Sequence, residues 1–100
     1  MNRNYHETVN LYGSLISDFL FNHTNHRESY YRTKISVRYP EGIEQYDLII
    51  PDHLIDVTLP ATGRAVDIIG EFRAFPGRRQ DDDNCYIYVN SIMERQRQVA

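Results

Sequence analysis

Two glycines interrupt an otherwise regular alternation of apolar and polar residues, and they constrain the fold more than any other feature of the chain. In the first alternating stretch Val9, Leu11, Gly13 and Leu15 share one face, while Thr8, Asn10, Tyr12 and Ser14 share the other. In a later stretch, residues 64–75, Val66, Ile68, Gly70 and Phe72 alternate with Asp67, Ile69, Glu71 and Arg73. A glycine at an inward strand position supplies no side chain to a core. It marks a bend, a bulge or the close approach of another backbone, as at the corner of a small coiled barrel. Three more stretches have the same period. Residues 30–39 place Tyr31, Thr33, Ile35 and Val37 inward and Tyr30, Arg32, Lys34, Ser36 and Arg38 outward; residues 44–50 and 85–93 complete the set.

Between the third and fourth strands Asp52 is placed to cap a short helix over residues 53–59, which Pro60 and Gly63 would end. Residues 22–29, polar and with two histidines, read as a loop, as do residues 76–84. The tail from Glu94 reads as polar and frayed or briefly helical. Three strands, a short helix and two strands in 100 residues predict an all-β fold, the five-stranded Greek-key barrel of the OB-fold. With 41% hydrophobic residues, the chain can build one core, so residues 1–100 are expected to form one domain with 1–5 and 94–100 frayed. No apolar run is long enough for a membrane helix, and residues 1–7 are too polar for a signal peptide. A lone Cys85 excludes an internal disulfide, and a cytoplasmic location is expected.

Four stretches resemble bacterial single-stranded DNA-binding proteins and their relative, primosomal replication protein N. NYHETVNLYGSL at residues 4–15 resembles the family's first strand. EQYDLIIPDHLIDV at 44–57 resembles the third strand running into the helix, TGRAVDIIGEFR at 62–73 the fourth strand, and CYIYVNSIMER at 85–95 the fifth. The fourth-strand pattern is the most specific. The resemblance implies an OB-fold that binds single-stranded DNA without chemistry, stacking bases on aromatic side chains and tracking phosphates with basic ones. It further implies a homodimer or homotetramer, and work in replication, recombination or primosome assembly with the proteins of those processes as partners. The family stacks bases largely on tryptophan and phenylalanine, and this sequence has no tryptophan. It also lacks the acidic tip that follows a linker in single-stranded DNA-binding proteins, so the expectation is a bare module like the primosomal relative or a small phage version.

The net charge of -3 excludes attraction to nucleic acid by bulk positive charge, but the charges are segregated. Arg27, Arg32, Lys34 and Arg38 face only Glu28 within residues 27–38, and three of the four alternate on one strand face. Ten of the eleven basic residues are arginine and eight residues are tyrosine, two side chains that suit binding surfaces. The candidate nucleic-acid contacts are Arg32, Lys34, Arg38 and Arg73 for phosphates, Tyr30, Phe75, Tyr86 and Tyr88 for stacking, and Arg78 and Arg79 in the last loop, and the resemblance adds Tyr46 near the family's third-strand stacking position. The alternative is a solvated strand face neutralised by cross-strand carboxylates such as Asp47 or Glu71, in an OB module that binds protein. RNA shares the same surface logic as DNA and differs by its 2′-hydroxyl. His23 and His26 read as loop residues; no metal, cofactor or catalytic constellation is expected.

Overall fold

Every alternating stretch forms a strand, and pairing between strands distant in sequence closes them into a barrel. The computed structural model describes residues 7–76 and 83–95, with the backbone alone for 74–76 and 83–84. The strands are β1 (Glu7–Leu15), β2 (Leu20–Asn25), β3 (Glu28–Tyr39), β4 (Gly42–Pro51), β5 (Ala65–Pro76) and β6 (Asp83–Glu94). Their order is β1-β5-β6-β4-β3-β2, and a further pairing of β1 with β3 closes five of them. All pairs are antiparallel except β4 with β6, which run parallel from Asp47↔Tyr86 to Ile49↔Tyr88. This is the OB-fold topology.

The inward residues form the core as their parity requires. Leu15, Ile35, Val37, Leu48, Ile50, Val66, Ile68, Ile87 and Val89 are buried together with Ala61. Buried Thr33 joins them because its hydroxyl donates to the Ser17 carbonyl (2.7 Å) as the chain leaves β1. Gly13 sits where β1 crosses β3: a Cβ there would lie 2.2 Å from the Ser36 carbonyl oxygen. Gly70 lies at a bulge in the β5–β6 ladder, and a Cβ there would meet the Tyr88 carbonyl oxygen at 2.5 Å. Both glycines permit a neighbouring backbone to approach where a Cβ would collide with it.

Three sequence expectations are corrected. The helix over 53–59 shrinks to a 3-10 turn at Asp52–Leu54, without a side-chain cap from Asp52. Seven residues are too few for a helix to persist alone, and Asp56 instead accepts from the Thr58 amide (3.0 Å), closing a turn. Residues 22–29 are no loop, because β2 pairs with β3 through a tight turn in which His26 and Arg27 take positive φ (51° and 66°). That pair of left-handed residues is the usual hairpin turn built without its usual glycine. Finally, Glu94 ends β6, and the Arg95 amide donates to the Ala65 carbonyl (2.9 Å), so the sheet continues into the expected tail. Among the described residues no helix is long and apolar enough to cross a membrane.

Candidate functional site

Strand register sets which outward side chains become neighbours. Across β5, β6, β4 and β3 one row reads Arg73, Tyr86, Asp47, Lys34, and the next reads Glu71, Tyr88, Ile49, Arg32. Ile49 points away from the core cluster yet is only 2% exposed, so outer-face side chains cover it. It supports those side chains from beneath. Arg73 lies over the Tyr88 ring (4.3 Å to the centroid) and reaches Glu71 at 2.9 Å. Arg32 lies 5.8 Å from the Tyr86 centroid and 3.7 Å from Asp47.

The β2–β3 hairpin raises one wall of a cleft against this surface. His23 stacks on Tyr30 with centroids 4.7 Å apart and planes within 5°. Opposite stand Arg73, Tyr88 and the bulge residues Val89 and Asn90, and Pro51 and Asn25 complete the lining of a 280 Å³ space. A shift in the β2 register between Phe21 and His23 turns the histidine toward Tyr30. His23 was hidden from sequence reading because its segment looked like a loop; Leu20 and Phe21 before the left-handed turn were the only local signal.

The candidate contacts distribute unevenly. Tyr30, Arg73 and Tyr88 line the cleft, and Arg32, Lys34 and Tyr86 lie on the adjoining outer face. Arg38 shares their strand face, but strand twist carries it to another opening beside Tyr12, Gly13, Ser36 and Ile43. Tyr46 faces inward: it packs against the core and its hydroxyl lies 3.1 Å from that of Tyr39. That hydrogen bond, reinforced by burial, pushes the Tyr46 phenol up to about 12. Phe75 is described by its backbone only, and Arg78 and Arg79 lie outside the described residues.

Carboxylates do sit among the cations, as the alternative reading required. The two ion pairs are partly exposed, with side-chain accessibilities of 43% and 31% for Arg32 and Asp47 and 37% and 30% for Arg73 and Glu71. Pairs this wet contribute about 0–1 kcal/mol, so an incoming phosphate can compete for either arginine. Among the described residues no ion pair engages Lys34. The combination offers cations beside flat rings.

No protein-family model and no curated sequence matches the chain at a significant level. Solved structures do match it. The dimeric N-terminal domain of PriB from Thermoanaerobacter tencongensis superposes with a TM-score of 0.74 at 18% identity, over 90% of this chain and 97% of that one. The chain shares that domain's fold. The second single-stranded DNA-binding protein of Mycobacterium smegmatis aligns with a TM-score of 0.70 at 8% identity, covering 90% of this chain and 89% of its own. The mitochondrial single-stranded DNA-binding protein Rim1 of S. cerevisiae gives 0.69 at 13% identity, over 90% and 94%. At these identities the likeness carries the barrel and its strand order, not the side chains on its surface.

Proposed function

We propose that this chain binds single-stranded DNA without strong sequence preference and serves replication, recombination or primosome assembly, performing no chemistry itself. The observation that carries the reading is the cleft between the stacked His23–Tyr30 pair and the Arg73–Tyr88 stack. Flat rings accept any unpaired base, whereas a duplex hides its base faces, so a surface of this kind favours single strands. Arg32, Lys34 and Arg73 supply phosphate contacts; Tyr30, Tyr86 and Tyr88 supply rings. Two of the structural neighbours are single-stranded DNA-binding proteins, which supports the same class.

The test is fluorescence anisotropy of labelled oligo-dT, with duplex and oligo-rU arms. Each stacked base adds roughly 1–3 kcal/mol, so Y88A should weaken binding by about 5- to 150-fold. R73A should weaken it and K34A should do so less. No salt-sensitive binding at roughly 50 µM protein would sink the proposal. Equal affinity for rU would extend it to RNA, and capture of a protein that oligonucleotide does not displace would favour the interaction-module reading.

We further propose a homo-oligomer, a dimer or tetramer. Its support is the outer face of β1, β5 and β6, which leaves Tyr12 47%, Ile69 43% and Met93 67% exposed. A small barrel gains stability by covering such a face with a second copy. Sedimentation equilibrium should report a dimer or larger; a monomer at roughly 50 µM would exclude it.

A further inference from the structure

Where β4 ends, three side chains from opposite sides of the hairpin surface come together. The register pairs Tyr30 with Pro51, and from there the two segments diverge: β3 runs back to Glu28, while the 3-10 turn carries Asp52 and His53 past it. His53 Nδ1 hydrogen-bonds the Glu28 carboxylate. One donor atom from each of Glu28, Asp52 and His53 lies within 4.8 Å of the others. Glu28 is also held by β2, since it pairs with Asn25 across the His26–Arg27 turn.

The geometry points to a divalent metal site formed by Glu28, Asp52 and His53, of the class that takes zinc. Four observations on the donors support it. They differ in kind, one imidazole nitrogen and two carboxylate groups, which suits a first-row transition ion; calcium and magnesium prefer oxygen throughout. Bonds of about 2.0–2.2 Å place tetrahedral ligands roughly 3.3 Å apart, so small rotations of exposed side chains would bring the three donors to an ion. Two carboxylates with oxygens within 4.8 Å of each other repel, and a cation between them relieves that repulsion. His53 is 63% exposed at its side chain, so the site has an open entry and a free fourth position for water or another oxygen ligand. The spacing of these residues, 25 positions between Glu28 and His53, resembles no local metal motif and becomes legible only once β3 and β4 are paired.

The inference assumes nothing about nucleic acid and can be tested without it. The full chain, stripped with a chelator and dialysed, is titrated with zinc chloride by calorimetry, with magnesium chloride as comparator. One saturable equivalent of zinc is expected, with no comparable heat from magnesium. H53Q and E28Q should each weaken uptake by about 10-fold or more, at least as much as the loss of an outer-sphere partner costs. A variant with His6, His23 and His26 all changed to glutamine should bind as the parent does. Backbone amide shifts on adding zinc should centre on residues 28 and 52–53. Because all three side chains are partly or fully exposed, the variants should keep the parent's far-ultraviolet spectrum. If a variant loses that spectrum, the amide-shift map of the parent decides. No saturable uptake at roughly 100 µM zinc, an affinity untouched in both H53Q and E28Q, or shifts centred on other histidines would overturn the site.

Discussion

Asp18 shows how a single side chain can secure a turn that has no helix to support it. Its carboxylate accepts from the Ala61 amide (3.1 Å), the Thr62 amide (3.3 Å) and the Thr62 hydroxyl (3.1 Å). These bonds, the Ala61 one foremost, hold its pKa below the usual carboxylate value, against a small opposing effect of desolvation. They also dock Ala61, which is fully buried, into the core. A pKa depressed by folding means stability that is present above the unfolded value of about 3.9 and is lost as pH falls through the folded one. Melting curves from pH 6 to pH 2 should therefore show D18N less stable than the parent at pH 6, with the gap closing in acid. A gap that stays constant to pH 2 would remove Asp18 from this role.

At the scale of elements, the barrel depends on a contact that has no side chain in it. β1 meets β3 through only Ser14↔Ser36 and Leu15↔Ile35, and Gly13 adjoins that junction. A methyl group there, 2.2 Å from a backbone oxygen, cannot be relieved by turning a side chain. G13A should cost about 2–3 kcal/mol, the upper part of the range for overpacking, and lower the melting temperature by roughly 10–20 °C. S14A, at an exposed neighbour, should change it by less than about 2 °C, and equal effects for both variants would contradict the argument. The glycine was legible in the sequence because it broke an apolar row. β2 was not, because its left-handed turn is made by His26 and Arg27 rather than by glycine or asparagine. The helix failed for the opposite reason: its cap and terminators were present, but seven residues of marginal propensity yielded to a turn closed by Asp56.

For the molecule as a whole, a net charge of -3 argues against phosphate binding, yet the charges that matter are local. Near the cleft stand Arg32, Lys34 and Arg73, with Asp47 and Glu71 between them. Binding through three cations should be modest and weakly dependent on salt. Single strands give a slope of about -0.7 per neutralised phosphate, so log affinity against log salt should fall with a slope near -2. K34A should reduce the slope by about 0.7, and a slope indistinguishable from zero would show that phosphate contacts do not hold the ligand. With no tryptophan in the chain, the proposed binding would draw its stacking from histidine and tyrosine.

The sequence by itself determined the all-β class, the OB-fold order and the face on which most strand residues lie. Alternation is a property of each strand alone, so Val9, Ile35 and Ile68 could be assigned inward, and Arg32 and Tyr88 outward, without knowing any neighbour. Tyr46 is a candidate through the family resemblance and not through parity; it shares a strand face with the buried Leu48 and Ile50, and the structure turns it toward Tyr39 and the core. The tertiary structure alone decided which outward residues meet. Strand twist sent Arg38 to a different opening from Arg32, the hairpin delivered His23 to Tyr30, and the end of β4 brought His53 to Glu28. Each of these depends on register and twist between separate segments, and no periodicity within one segment records them.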